Sequence, residues 1–167
     1  DILFVGLNPA KGSSDNRHYF SVNAAFWNQL YAAGLITHPV NKMAADAIIF
    51  GGTLYNLNGW QYGITDLVTE IAESNSQKIK PTQAHINHLI KTIKSLSPRI
   101  VILLHSKVKS ALVNTPTKTN SGYLGKLIPG CNSVFFDIAF PHGNTISSQE
   151  KINNYLQVRE YIRSNSR

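Results

Sequence analysis

A short apolar run at the start of the chain ends abruptly in a polar loop, and this junction constrains the fold most. Ile2 to Val5 are four apolar residues, two of them β-branched, which indicates a short buried strand. Gly6 permits a tight exit, and Pro9 restricts Asn8 to extended backbone. The sequence predicts a rigid first polar loop (Gly6–Ala10) at the carboxyl end of a strand, although an ordinary turn fits this segment equally well.

Two further apolar segments end in polar loops in the same way. Gly63–Val68 contains the second polar junction, at Asp66, and the strand Asn132–Ala139 leads into the third polar loop, Phe140–Thr145. The continuous apolar run Arg99–Leu104 is typical of a parallel strand that is covered on both faces. Because the carboxyl ends of parallel strands lie at one edge of a sheet, we expect the three polar loops to meet there.

Helices are predicted between these strands from apolar residues at helical spacing. They are Asn23–Gly34, Ala44–Phe50, Thr82–Leu96, Ser106–Val113 and a last helix opened by the capping-box pair Ser147 and Glu150. Lys11–Tyr19 is predicted to be a polar loop. The alternation of strands and helices predicts an α/β three-layer sandwich with a central, mainly parallel four-stranded sheet, in one domain over residues 1–167.

The composition limits the classes of partner. Sixteen Lys and Arg against nine Asp and Glu give a net charge of +7, which favours a polyanion such as nucleic acid. The single cysteine, Cys131, excludes a disulfide framework. No apolar run approaches the roughly 18–20 residues of a membrane span, and no signal-peptide pattern is present. We expect an intracellular monomer without membrane association. The lysines occur as scattered pairs, which indicates a folded basic face: Lys78 and Lys80, Lys91 and Lys94, Lys107 and Lys109, Lys118 and Lys126.

Cofactor and metal motifs are weak in this chain. Lys11 precedes Gly12, the reverse of the order in a phosphate-binding loop, so a nucleotide-cofactor enzyme is a distant alternative. His85 and His88 are three residues apart and could form half of a metal site, but solvated helix residues explain them better because no further ligands follow. No cofactor and no metal are expected.

Five motifs, in order, resemble the uracil-DNA glycosylase superfamily, most closely its mismatch-specific uracil/thymine branch. That branch has a Gly-Ile-Asn-Pro-Gly loop, then a Phe and a Phe-Trp pair that opens a helix, then Gly-Val-Thr-(Asn or Lys)-Leu-Val. A Gly-Lys pair and a final Asn-Pro-Ser-Gly-Leu-Ser motif follow. The matching segments of this chain are Gly6–Ala10, Phe20 with Phe26 and Trp27, Gly63–Val68, Gly125 with Lys126, and, in part, Phe140–Thr145.

This resemblance implies a monofunctional glycosylase that flips a damaged base out of DNA and hydrolyses its N-glycosidic bond. Asn8 would orient the water, together with the Pro9 carbonyl, and His142 would hydrogen-bond the departing base. Asn8 is no strong base, unlike the Asp of faster branches, so turnover should be slow. Phe20 would stack on the base, its alternative being a core aromatic. The implied base contacts are Gly6, Leu7, Pro9, Phe20 and Asp66, and the implied DNA contacts are Lys11, Gly143, Asn144 and Thr145.

Three positions depart from the branch pattern. Asp66 replaces an Asn or Lys, and its carboxyl can donate to uracil O4 only when protonated; it could instead orient water or cap a turn. Phe140 occupies the place of a motif His or Asn, with His142 offset from it. Asn144 replaces an apolar wedge, which favours single-stranded or mismatched DNA. A nucleic-acid-binding protein of the same fold that has lost catalysis therefore remains the alternative.

Overall fold

Five strands form one sheet in the computed structural model, which describes residues 1–113 and 120–165. They are β1 (Ile2–Gly6), β2 (Tyr62–Asp66), β3 (Ile100–Leu103), β4 (Gly122–Gly125) and β5 (Val134–Asp137). Their order across the sheet is β2-β1-β3-β5-β4. Four of them run parallel, and β4 runs antiparallel to β5. The predicted α/β class with a mainly parallel central sheet is confirmed.

The sheet has one strand more than the four predicted. β4 lies at the edge of the sheet and pairs only with β5 among the described residues. It contains Gly122 and Gly125, and the side chain of Tyr123 between them is exposed, so this segment carries no apolar run. A short edge strand of this kind does not produce the hydrophobic pattern from which the four parallel strands were predicted.

Six helices flank the sheet in the described part of the chain. They are α1 (Lys11–Asn16), α2 (Ala25–Ala32), α3 (Ala45–Ile49), α4 (Gln83–Leu96), α5 (Ser106–Leu112) and α6 (Ser148–Ser164). Single 3₁₀ turns lie at Leu57–Gly59 and Ser76–Lys78. The predicted capping box of α6 is present, since Ser147 and Glu150 each bond the other's backbone N–H. None of the described helices is both long and apolar enough to cross a membrane.

The segment Lys11–Tyr19 is not a loop throughout, because its first six residues form α1. This helix buries none of its residues, so it has no apolar stripe from which it could be predicted. It ends at Arg17, whose left-handed backbone lets its N–H bond the carbonyls of Ser13 and Ser14. Tertiary contacts and the cap hold α1 in place, and its sequence pattern does not reveal it.

Two hydrophobic layers separate the helices from the sheet. Ile2 and Phe4 on β1 face the layer formed with α2, α3 and α6, while Leu3 and Val5 face the layer formed with α4 and α5. Both faces of β1 and β3 are therefore covered, as the apolar runs predicted. The carboxyl ends of β1 and β2 coincide, with Gly6 paired to Asp66, so that two of the polar loops begin side by side.

Candidate functional site

Asn8 is the most firmly held side chain of the first polar loop. Its amide nitrogen lies 3.0 Å from the carbonyl oxygen of Pro9, 3.0 Å from that of Ile71 and 2.8 Å from that of Glu73. Carbonyls only accept hydrogen bonds, so the nitrogen must be the atom directed at them. None of the described residues donates to Asn8 Oδ1. The half-buried side chain therefore offers one fixed acceptor at the carboxyl edge.

The chain after β2, Leu67–Ile79, is the second polar segment. It packs around the first polar loop through backbone hydrogen bonds. Leu67 and Val68 donate to the carbonyls of Gly6 and Leu7, at 2.9 Å and 2.8 Å, and the Glu73 N–H donates to Pro9 O at 3.0 Å. Pro9 O thus accepts from both Glu73 and Asn8, which uses both of its lone pairs inside the protein. The expected help of the Pro9 carbonyl in orienting water is therefore not supported by this geometry.

Asp66 lies against the backbone of Gly6. A Cβ built on Gly6 would lie 2.4 Å from Asp66 Oδ1, a distance that no real Cβ contact allows. The carboxyl is 7% exposed. Gly6 is therefore required as glycine by the close approach of the Asp66 side chain, and this contact holds the predicted base-reading group beside the loop of Asn8.

Tyr19 is a hydrogen-bonding partner of Asp66 that was not predicted from the sequence. Burial raises the pKa of Asp66 to about 7, while the hydrogen bond with Tyr19 lowers it. Burial and the nearby Asp66 carboxylate raise the pKa of Tyr19 to about 12, so the phenol remains a donor at neutral pH. Asp66 consequently exists as a mixture of neutral acid and carboxylate near pH 7, and the acid form has a proton to donate.

Asp46, on α3, fixes the segment that carries Tyr19. Its carboxylate accepts from the Tyr19 N–H at 3.0 Å and contacts His18 Nδ1 at 2.9 Å. The segment needs such anchors because Arg17 and Phe20 both have left-handed backbone, with φ of 57° and 51°. Asp46 thus has an indirect place in the site, since it positions the tyrosine that bonds Asp66.

Aromatic rings connect Asp66, at the end of β2, with the third polar loop. Phe20 stacks on Phe26 with ring centroids 4.0 Å apart, and its ring centroid lies 6.1 Å from that of Phe140. Phe140 in turn packs edge-on against His142 at 5.2 Å. Phe20 is half-buried, so it combines core packing, the alternative considered for it, with partial exposure. Tyr19, Phe20, Phe140 and His142 form a continuous aromatic wall that starts at Asp66.

The third polar loop is held by its backbone. Pro141 O accepts from Gln29 Nε2 at 3.0 Å and from Lys151 Nζ at 3.1 Å, and both side chains are buried. Asn144 donates to Phe140 O at 2.8 Å and to His142 O at 3.3 Å, so its amide is used within its own loop. His142 itself is exposed as a residue. Partial desolvation of its imidazole, followed by the charge of Lys151, lowers the pKa of that ring. The loop therefore presents a neutral His142 at pH 7.

The remaining residues that were predicted to contact the base or the DNA differ in their solvent exposure. Leu7 is buried in the layer beneath α4, so only its main chain can contribute to a pocket. Lys11, Gly143 and Thr145 are exposed at the carboxyl edge. In contrast, Gly125 ends β4 and Lys126 follows it, toward the beginning of β5 and away from this edge.

Several lysines of the expected basic face are engaged inside the protein. Lys107 Nζ donates to Ser76 O at 2.6 Å and to Ile79 O at 2.7 Å, which ties the second polar segment to α5. Lys109 is 2% exposed and forms an ion pair with buried Asp137 at 2.9 Å. Lys118 lies outside the described residues. The pair Lys107 and Lys109 is therefore bonded within the protein and does not form part of a freely exposed basic face.

The two histidines of α4 differ, since His85 has a structural role and His88 faces the solvent. His85 completes the capping box at Thr82 and contacts Glu70 through Nε2, while His88 is exposed. Within residues 1–113 and 120–165, no group of three or more His, Cys, Asp or Glu side chains has a metal-binding arrangement. The half metal site that the spacing of His85 and His88 suggested has no completing ligands there.

A fixed amide, a buried carboxyl and an aromatic wall lie at the carboxyl edge of the parallel sheet of this α/β protein, the edge at which sheets of this kind bind their ligands. The chain belongs to the uracil DNA glycosylase superfamily, whose family model matches residues 1–163. Members of this superfamily are DNA glycosylases, hydrolases that act on DNA. No curated protein matches the chain.

Proposed function

We propose that this protein is a monofunctional DNA glycosylase that hydrolyses the N-glycosidic bond of a flipped uracil or related base in base excision repair. The water oxygen bonds to C1′ while the C1′–N bond breaks and its electron pair leaves with the base; the water then loses one proton to the solvent, from which the base anion is protonated. Positioning and electrostatics supply the rate, since Asn8 is itself no strong base. We further propose that the protein acts as a single-domain intracellular monomer on single-stranded or mismatched DNA, as in the mismatch-specific branch.

The geometry of Asn8 carries this proposal. Three carbonyls fix its amide nitrogen, which leaves Oδ1 as an oriented acceptor for one water hydrogen. A carbonyl-type acceptor aligns a water without deprotonating it, which suits a reaction whose sugar already carries positive character in the transition state. Asn8 and His142 are the proposed catalytic residues, with His142 as a donor to the departing base.

Asp66 in its acid form can read the edge of uracil. The carboxylic O–H donates to O4, and the carbonyl oxygen accepts from N3–H, which a carboxylate alone cannot do. The pKa of about 7 maintains a substantial fraction of this form at neutral pH. Phe20 supplies the stacking surface, and Lys11, Gly143 and Thr145 contact the DNA backbone.

An alkali-cleavage panel tests the proposal. Oligonucleotides with uracil (single-stranded, opposite G, opposite A), G·T or hypoxanthine are incubated with the wild type, Asn8→Ala and Asn28→Ala, then treated with alkali. We expect cleavage at uracil by the wild type, at least about a hundredfold loss for Asn8→Ala, and no loss for Asn28→Ala. Asn28 is the matched control because it is an exposed asparagine on α2. Absence of cleavage at every base would contradict the enzyme assignment.

A DNA-binding protein without catalysis is the second candidate. The use of Asn144 within its own loop favours it, because that position then supplies no wedge for base flipping. Such a protein would bind oligonucleotides with strong salt dependence and leave no alkali-labile sites at any protein concentration. The same panel, with a binding measurement added, separates the two candidates.

A further inference from the structure

Extruding a base leaves a gap in the DNA stack, and enzymes that bend or open DNA commonly fill such gaps with an apolar side chain. Asn144 is unsuited to this task because its amide donates to two carbonyls of its own loop and its Oδ1 accepts from the Ile146 N–H at 3.2 Å. A wedge in this protein must therefore come from another segment of the carboxyl edge.

Ile71 is an exposed apolar side chain directly beside the proposed catalytic amide. Its carbonyl oxygen lies 3.0 Å from Asn8 Nδ2, and its side chain is 44% exposed. An isoleucine at this level of exposure on a polar loop has no role in the hydrophobic core. Because its backbone carbonyl bonds the amide of Asn8, this isoleucine lies next to the residue at which attack on the sugar is proposed.

The backbone that carries Ile71 is held rigidly. Both backbone groups of Glu73 are hydrogen-bonded to the first polar loop. Its N–H donates to Pro9 O at 3.0 Å, and its carbonyl accepts from Asn8 Nδ2 at 2.8 Å. The Lys11 N–H bonds Ser74 Oγ at 3.2 Å, so α1 supports the segment from the other side. A wedge must resist displacement by the stacked bases, and these bonds supply that resistance.

Two carboxylates flank Ile71 and would repel DNA phosphates if they were unpaired. Glu70 contacts His85, and Glu73 forms an ion pair with Lys78 at 3.2 Å. Both contacts, together with backbone hydrogen bonds, lower the pKa values of these glutamates. Glu70 is thus hydrogen-bonded to His85 and Glu73 is ion-paired with Lys78, and the exposed isoleucine is the apolar group that this segment offers to the DNA.

We propose that Ile71 enters the stack of duplex DNA as the apolar wedge that fills the gap left by the flipped base. This inference rests on the proposed function, because it assumes that a base is extruded next to Asn8. It assigns the wedge to the segment after β2 in place of the third polar loop. The wedge acts on paired DNA only, since a single strand has no opposing stack to enter.

Binding and base extrusion are measured on a duplex with 2′-fluoro-2′-deoxyuridine opposite G, because the fluorine slows bond cleavage. A neighbouring 2-aminopurine reports loss of stacking through its fluorescence. The variants are Ile71→Ala, Ile71→Leu and Leu96→Ala. Leu96 is the matched control, since it is 61% exposed at the end of α4, on the opposite edge of the sheet.

We expect Ile71→Ala to weaken duplex binding about tenfold and to remove most of the fluorescence increase, while Ile71→Leu retains both. Leu96→Ala should match the wild type, and none of the three variants should change binding to the single strand. Equal losses on the single strand and the duplex, or a wild-type response from Ile71→Ala, would overturn the proposal. Uracil excision is assayed separately, so an inactive wild type that still shows the Ile71 effect would refute the proposed function alone.

Discussion

The first and third polar loops are held in opposite ways. In the first, a side chain, Asn8, is fixed by one backbone carbonyl of its own loop and by two of the second polar segment. In the third, a backbone carbonyl, that of Pro141, is fixed by the side chains of Gln29 and Lys151, and His142 stays exposed. The difference teaches that one half of the candidate site is set before substrate arrives, whereas the other half can adjust to the base.

Replacement of Asn8 by aspartate is the strongest test of this comparison. A carboxylate has no hydrogens for the three carbonyls that surround the nitrogen position, so it would be repelled there. We expect Asn8→Asp to lower the free energy of unfolding at pH 8 by about 1–3 kcal/mol and to abolish excision. Aspartate would thus fail here although the faster branches use it.

Denaturant unfolding and the alkali-cleavage assay measure these two effects, with Asn28→Asp as the exposed control on α2. An Asn8→Asp variant as stable as the wild type and faster at uracil would show that the carbonyls do not constrain the group. The fixed character of the first polar loop would then be wrong.

The substitution Gly6→Ala tests whether the close approach of Asp66 to the first polar loop is needed for stability and for uracil binding. The new Cβ would lie 2.4 Å from Asp66 Oδ1, so Gly6→Ala must displace the carboxyl. We expect a loss of about 1–3 kcal/mol in stability and a large increase in KM for uracil substrates. Gly63→Ala is the control, since its Cβ would make an ordinary contact of 3.7 Å with Leu3 on the adjacent strand. Equal behaviour of the two variants would contradict the close approach at Gly6.

The sequence predicted those parts of the molecule that depend on local pattern. Four strands follow from apolar runs, and the α6 cap from Ser147 and Glu150. Two of the three partners of Asn8 lie 63 and 65 residues further along the chain, so only the folded structure reveals them. The role of Tyr19 could not be predicted for the same reason, because its contact with Asp66 joins residues that are distant in the sequence.

Lys151 could have been found from its spacing. It lies four residues before Tyr155, seven before Val158 and eleven before Ile162, all on the buried stripe of α6. A lysine at a position where the helix pattern requires an apolar residue indicates a buried bond, here to Pro141 O.

Removal of the Lys151 amine should loosen the third polar loop without unfolding the protein. In Lys151→Met, Pro141 O retains the bond from Gln29, and the methionine fills most of the lysine stem's volume. We expect a stability change within about 1 kcal/mol and a several-fold loss in kcat/KM for uracil excision. Lys94→Met, at an exposed position of α4, is the control. An unchanged kcat/KM would indicate that the Gln29 bond alone positions the loop.

The smallest expected effect concerns the pH profile and comes from the Tyr19 hydroxyl. If uracil recognition needs the acid form of Asp66, excision by the wild type should fall as pH rises through about 7. The hydrogen bond with Tyr19 favours the carboxylate, so its removal in Tyr19→Phe raises the pKa of Asp66 further. The falling limb should therefore move to higher pH. His142 does not obscure it, because the pKa of its imidazole is lowered and it titrates on the acid side.

Rate measurements between pH 5 and 9, with Tyr31→Phe on α2 as an exposed control, locate that limb for each variant. Carbon-13 NMR of the Asp66 carboxyl reports the same titration without any turnover. If the falling limb of the pH–rate profile of Tyr19→Phe stays in place or moves to lower pH, Tyr19 does not influence recognition of the base through Asp66. Uracil recognition would then depend on the acceptor oxygens of Asp66, and the adjustable half of the site would reduce to His142 and its loop.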